Sequence, residues 1–539
     1  IARCIAWKQI DIIRRRSSHL IPLRPTSHPQ IVVSEPTLPH FDPPSEKLHW
    51  TTYSSVDLKL ALEKITNTLA DFVDRSRQSL DPVVSLQPVK EITQHLALDD
   101  YLRRSGQGSP ADLLDEFIAN YLTTVIRLND PRFIGHQVAR PHFASALADL
   151  VNGLTNNGMA VYEMGPGPVA LEKYIVDWLL KFVPWGQNRT QSSTHVTGGG
   201  FLTHGGSIAN LTALLAARGT FDSESWQNGI NPAHVFLIPD TSHYCVKRAI
   251  CILGYGEKNI LMLPTDSTGR IDTSQLEATY QRALNANKIP VAVCANACTT
   301  STGLYDDLKT VGEFARSHAL WFHVDGAHGA SALISDAHRS LLNGIELADS
   351  LVWDQHKLLQ TSALCTAILF RNPDSLSRIF QQQAAYLGDN ENAEFPDLFH
   401  QTVECTKIPM GLKFFLILLA TGENGLRELL EALFQRTAEI HQLISNRAGF
   451  VCDYVPQSNI LCFQYRPEQL NQFEMRDQII DEGEYYFTRT EIKGKKYFRF
   501  TVANPETTDK VVLGLLQRIE NFDGRQATGS VSDQNEAGS

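Results

Sequence analysis

The sequence is short of every feature that would place it in a special class. Nine cysteines in 539 residues are too few and too irregularly spaced for a disulfide-stapled fold. Those at 245, 251, 294, 298 and 365 lie in apolar stretches, as buried thiols of a reducing compartment do. No long apolar run occurs. Residues 414–420 form one of the longest, well short of the roughly 20 residues that a bilayer-spanning helix needs. Positive charge is not in excess: 48 Lys and Arg stand against 59 Asp and Glu, a formal net charge of −11. That balance argues against nucleic acid or an anionic membrane as the main partner. The pairs Cys294/Cys298 and His323/His328 do not match a structural zinc spacing, so no metal is expected. No internal repeat is evident. What is present is an ordinary globular composition, 43% apolar and 20% charged, with ample chain for a large core. A cytoplasmic protein is expected.

Both ends read as appendages. Residues 1–54 carry Arg14, Arg15 and Arg16 and then turn proline-rich at Pro36, Pro39, Pro43 and Pro44. A transit peptide fits, as does a loose, disordered arm. Residues 524–539, rich in Gly, Ser and Gln, read as a disordered tail. Residues 55–150 form an N-terminal helical docking segment. Leu58, Leu62, Ile65, Leu69 and Phe72 make one amphipathic stripe, and Ser109-Pro110 opens a second helix bearing Leu113, Leu114, Phe117 and Tyr121. Such one-faced helices need a partner.

From about residue 195 the pattern changes. Short apolar runs at 234–239, 260–263, 290–294, 320–325, 350–353 and 365–370 alternate with helical stretches near 207–218, 243–253, 274–287, 306–317 and 335–348. Such alternation predicts an α/β domain over 151–400 with a mostly parallel sheet. Its ligand belongs at the carboxyl ends of the strands. Residues 401–523 read as a smaller α+β domain: a helix over 410–421 stopped by Gly422, a helix near 425–446, strands near 460–465 and 497–502, and a helix over 508–522.

Four features fall at strand ends. Thr203-His-Gly-Gly-Ser-Ile-Ala-Asn210 leads into a helix with Ser207 as its expected N-cap and Gly219 as its expected C-terminal stop. Two glycines before a helix expose amides to an anion such as phosphate, although Gly-Gly-Ser opens many helices that bind nothing. Asp325, in Trp321-Phe-His-Val-Asp-Gly-Ala-His328, ends an apolar strand; it suits a cationic ring nitrogen or, equally, the cap of the next helix. Lys357, in Asp349-Ser-Leu-Val-Trp-Asp-Gln-His-Lys357, follows another strand. Its apolar setting predicts a lowered pKa and a Schiff-base nucleophile; a strand-end lysine reaching water is the plainer alternative. His243 stands at a helix start, to stack on a flat ligand, move a proton or simply cap. Together, a phosphate cradle, a carboxylate for a pyridinium nitrogen and a Schiff-base lysine are the attachments that pyridoxal phosphate requires.

These residues carry a resemblance. The sequence resembles the group II pyridoxal-phosphate-dependent amino-acid decarboxylases over roughly residues 55–520. The matching motifs are Pro131-Arg-Phe-Ile-Gly-His136, Asn156-Asn-Gly-Met-Ala-Val-Tyr-Glu163, Gly205-Gly-Ser-Ile-Ala-Asn-Leu211, Cys298-Thr-Thr-Ser-Thr-Gly-Leu-Tyr-Asp306, His323-Val-Asp-Gly-Ala327 and Asp354-Gln-His-Lys357. The resemblance implies an aspartate-aminotransferase-like (fold type I) enzyme, a homodimer with shared active sites, and a pyridoxal 5′-phosphate cofactor. It implies that Lys357 holds the cofactor, Asp325 pairs with its ring nitrogen, and His243 and Ala327 lie on its two faces. Gly205, Gly206, Ser207 and His356 would hold the phosphate, and Thr300 would lie near the ring substituents. Tyr386 would protonate the substrate carbon from a closing loop. Arg499 would grip the substrate carboxylate, or serve as an ordinary strand residue, and Phe133 and His136 would meet the substrate side chain. Departures from the family pattern are Asp354 for Asn, Gly326 for Ala and Cys298 for Gly. The reaction implied is α-decarboxylation of an L-amino acid through a Schiff base, with an acidic or diamino substrate. An aromatic substrate, a different fold type I lyase or transaminase, and a catalytically silent scaffold are the alternatives.

Overall fold

The computed structural model describes residues 54–185, 198–377, 380, 397–466 and 470–522. Tyr386, residues 1–53 and residues 523–539 lie outside the described residues. Residues 61–539 cluster as one unit. Of residues 1–60, those described open the helix Ser55–Arg77. There the Ser54 amide donates to Asp57 Oδ2 (3.0 Å) and the Asp57 amide to Ser54 Oγ (3.2 Å), a reciprocal cap for two end donors.

The strands are Phe133–Ile134 (β1), Gly199–Thr203 (β2), His234–Pro239 (β3), Ile260–Leu263 (β4), Ile289–Asn296 (β5), Trp321–Asp325 (β6), Ser350–Asp354 (β7), Thr366–Phe370 (β8), Phe450–Val451 (β9), Ile460–Tyr465 (β10), Tyr486–Ile492 (β11) and Lys495–Thr501 (β12). A seven-stranded sheet has the order β2-β8-β7-β6-β5-β3-β4. β8 runs antiparallel to its neighbours β2 and β7, and the other pairings are parallel. The sheet is mostly parallel, as the alternating pattern predicts. β3, β6 and β7 are buried at every position, which is why they read as continuous apolar runs rather than alternating ones. Successive residues still face opposite ways. Leu202, Leu237, Val293 and Leu351 enter one core layer, while Phe201, Phe236, Cys294 and Val352 enter the other.

A five-stranded sheet, β1-β11-β12-β10-β9, packs around Phe463, Phe487, Phe498 and Phe500. The helix Met410–Ser445 joins the two layers. Gly422 leaves helical geometry at φ +68, and glycine tolerates that left-handed turn. Met410, Phe414 and Ile417 pack with the large sheet, and Ile440 and Ile444 pack with the small one.

Some elements differ from expectation. No continuous helix fills 335–348; single turns Arg339–Leu342 and Ile345–Leu347 stand there, separated by Gly344 at φ +100. β2 begins with two glycines and carries little strand propensity. It pairs with β8 along its whole length, and a Cβ on Gly200 would collide with the Ile368 carbonyl. β1 lies inside the segment read as helical and pairs with β11. Among the described residues no helix is long and apolar enough to cross a membrane.

Candidate active site

The ends of β2, β3, β5, β6 and β7 meet around one cavity of about 230 Å³. Into it the structure brings Lys357, Asp325, His243, Gly205, Gly206, Ser207, Thr300, Ala327 and His356. At the end of β2 the chain turns through Gly205 (φ +99) into the helix Gly206–Phe221, a backbone conformation that side-chain-bearing residues avoid. Gly205, not Ser207, is the N-cap, so Ser207 falls in the first turn. Gly219 does not stop the helix; the turn closes later, where the Asp222 amide donates to the Arg218 carbonyl at 2.8 Å. The amides of Gly206 and Ser207 precede any intrahelical acceptor. A Cβ on Gly206 would stand 3.4 Å from both Asp354 carboxylate oxygens, so glycine keeps that floor open.

Asp325 ends β6 and accepts from the Ala327 amide (3.2 Å) and from Asn210 Nδ2 (3.2 Å). Asn210 Nδ2 also donates to the Gly206 carbonyl at 2.9 Å. Both its hydrogens are therefore used, and Oδ1 turns to His323 Nε2 at 2.7 Å. That contact puts the imidazole proton on Nε2. His323 Nδ1 then accepts from Ser350 Oγ (2.8 Å), which itself accepts from Trp321 Nε1 (2.9 Å). Burial holds His323 down to about 4, so the relay works with a neutral ring. Trp321, His323 and Asp325 share one face of β6 through the period of two. Sequence reasoning missed this relay, and the spacing of His323 from Asp325 was the available signal.

Lys357 follows β7, with Nζ 2.9 Å from Asp354 Oδ2. Asp354 is 1% exposed, accepts from Thr366 Oγ1 at 2.6 Å and lies 3.5 Å from His356 Nε2. The expected lowering of the Lys357 pKa is not found. Burial pulls it down, but the Asp354 charge and hydrogen bond outweigh burial and raise it. Asp354 is in turn held low despite its burial, chiefly by Lys357. The apolar run around Lys357 gave no sign of this, because the charge that decides the matter sits three residues upstream on the strand. Of the three readings made of His243, the structure shows the cap. Its Nδ1 caps the helix Tyr244–Ile252 by accepting the Cys245 amide at 3.3 Å, and its ring lines the cavity. Burial lowers its pKa.

Three expected substrate residues do not line this cavity. Phe133 is 2% exposed and stacks on Tyr486 at 5.3 Å. The His136 ring lies 5.8 Å from that of Tyr486. Arg499 alternates with Phe498 and Phe500 on β12, so they fill the small core while Arg499 faces the other way. Its Nε and Nη2 donate to the Thr300 carbonyl (3.0 and 2.8 Å), and its Nη1 donates to the hydroxyls of Thr488 and Thr501 (both 3.1 Å). Most of its fork is therefore spent on the protein itself. Gln137, beside His136, lines an adjoining recess that shares Lys357 and His328 with the main cavity.

The family profile described as pyridoxal-dependent decarboxylase conserved domain matches residues 102–466. Acidic amino acid decarboxylase GADL1 of Mus musculus is 27% identical over 465 residues, 82% of each chain. Its Xenopus tropicalis counterpart is 29% identical, over 77% of this chain and 83% of that one. Mouse CSAD has the same fold, with a TM-score of 0.78 at 24% identity, covering 87% of this chain and 99% of that one. So has Oryza sativa TDC with PLP and tryptamine, at 0.78 and 23%, covering 87% and 98%. The site fits the family's cofactor on its own chemistry: an amine, a carboxylate steadied by two donors, and a glycine floor with free amides line one cavity. The chain belongs to the pyridoxal-dependent decarboxylase family and is a pyridoxal-phosphate carboxy-lyase.

Proposed function

We propose that this enzyme removes the α-carboxylate of a small L-amino acid with an acidic side chain, releasing carbon dioxide and the amine. The observation that carries the reading is the convergence of Lys357, Asp325 and the Gly205–Gly206 turn on one cavity. The relatives named acidic amino acid decarboxylases support the substrate class. Bound pyridoxal phosphate supplies an electron sink for the pair left when the carboxylate departs.

The chain's own residues do the rest. Lys357 Nζ is the attachment point. The Asp325 carboxylate, oriented by Asn210 and the Ala327 amide, holds a proton on the ring nitrogen. His243, neutral and fixed by its capping bond, and Ala327 are the residues for the ring's two faces. Amides at the helix start, the Ser207 hydroxyl and His356 hold the phosphate. Thr300 flanks the ring substituents, and its carbonyl is pinned by Arg499. Tyr386 is the proton donor to the substrate carbon.

A homodimer completes the reading. Phe143 (68% exposed), Leu147 (51%) and Leu154 (45%) stripe one face of the helix Phe143–Thr155, which suits a second copy. The same reading keeps 151–400 as the cofactor domain and 401–523 as the small domain. It places the enzyme in the cytoplasm, a location that the burial of Cys245, Cys294, Cys298 and Cys365 among apolar neighbours suits.

Carbon dioxide release from a panel of L-amino acids tests the function. Release from aspartate, glutamate or cysteine sulfinate, lost in Lys357→Ala, is the expected result. Preference for tyrosine or dihydroxyphenylalanine contradicts the acidic assignment, and full activity in Lys357→Ala contradicts the site.

A further inference from the structure

His204, the residue just before the glycine turn, has no role in the reading above. Its ring lines the same cavity as Gly205, Gly206, Ser207 and His356. Its Nδ1 lies 2.6 Å from Glu404 Oε1. The same carboxylate accepts the His204 amide at 3.2 Å and the Thr203 hydroxyl at 2.6 Å. Burial pushes Glu404 up, but these hydrogen bonds outweigh burial and hold it below its usual range. An ionised acceptor at Nδ1 requires the proton to sit on that nitrogen. Nε2 is then the ring atom left for the cavity, and among the described residues it makes no hydrogen bond.

The placement of Glu404 makes a second point. Its side chain is only 14% exposed, so water screens its charge weakly. A bare carboxylate beside an anion-binding turn would repel phosphate. A ring that takes up a second proton as phosphate enters would stand between the two anions and add a charge-assisted Nε2–H donor. Glu404 arrives from far along the chain to meet the end of β2, so local sequence does not account for the pairing.

We propose that His204 is a phosphate-binding residue of the cofactor site and that Glu404 is its positioning residue. Glu404 fixes the ring through Nδ1, and Nε2–H donates to a phosphate monoester. The proposal rests on the cofactor assignment above, and the experiment separates the two.

Full-length protein freed of cofactor is titrated with pyridoxal 5′-phosphate and with pyridoxal, following the absorbance of the Lys357-bound chromophore. Inorganic phosphate is added as competitor in a third arm. His204→Ala is expected to weaken pyridoxal 5′-phosphate binding about tenfold or more, the scale of a lost charge-assisted hydrogen bond, while pyridoxal binding stays within about twofold. Glu404→Gln is expected to move the same ratio in the same direction by less, and His204→Lys to restore part of it. Inorganic phosphate should compete less well in His204→Ala than in the wild type. Equal weakening of both compounds marks a structural role and overturns the proposal, as does unchanged affinity for pyridoxal 5′-phosphate. If His204→Ala does not fold, the Glu404→Gln ratio decides. A wild type that forms no chromophore with either compound overturns the cofactor assignment itself, and the proposal falls with it.

Discussion

Asp354 stands 2.9 Å from the nitrogen that must become a nucleophile, and almost no water reaches it. A carboxylate there stabilises the ammonium, so the neutral amine appears only at higher pH. Asp354→Asn keeps the shape and removes the charge. The pH midpoint for reaction of Lys357 with a small aldehyde, trapped by borohydride, is expected to move toward acid by about one to three units. A midpoint that stays or moves toward base contradicts the role given to Asp354. At this scale the sequence was legible where a residue type and a strand end coincide, as at Lys357, Asp325 and His243. It was not legible where a side chain's fate depends on a distant partner. Arg499 looks like a carboxylate clamp until the Thr300 carbonyl is seen to occupy it. Asn210 and His323 look unremarkable until their mutual contact and the one to Asp325 are known.

The strand–turn–helix made by β2, Gly205 and the helix Gly206–Phe221 separates folding from binding. Gly206 has no positive φ, so alanine is compatible with the backbone, and alanine is a better helix former by about 0.5–1 kcal/mol. Its methyl group would stand on the floor of the cavity, 3.6 Å from the Ala327 Cβ. Gly206→Ala is therefore expected to melt at or above the wild-type temperature while binding cofactor at least about tenfold more weakly, about 1.4 kcal/mol. Calorimetry and an absorbance titration check the two halves; lost stability with intact binding contradicts the reading. Elements were legible where an apolar run is fully buried, as in β3, whose limits match the pattern. β1 was hidden because pairing, not propensity, makes it a strand; of β2 only the end at Thr203 was legible, since two glycines open it and pairing with β8 sets its length. The stretch 335–348 misled because Gly344 breaks a pattern that otherwise has helical spacing.

For the whole molecule, the α/β class and the mostly parallel sheet followed from alternation, the fold type I assignment followed from the resemblance, and the joining of the two sheets by one long helix followed from neither. The exposed stripe on Phe143–Thr155 has its own consequence. Leu147→Glu combined with Leu154→Glu places charge where a second copy would pack, and sedimentation is expected to show the 60.1 kDa monomer where the wild type shows twice that mass. A wild type that sediments as a monomer at micromolar concentration contradicts the homodimer. The central claim is that Lys357 is where the cofactor attaches. The most direct measurement is borohydride reduction of the protein with pyridoxal 5′-phosphate, followed by peptide mapping by mass spectrometry. The expected result is a single phosphopyridoxyl-modified peptide, with the modification on Lys357. A stable modification on a different lysine, or none in the wild type, contradicts the account.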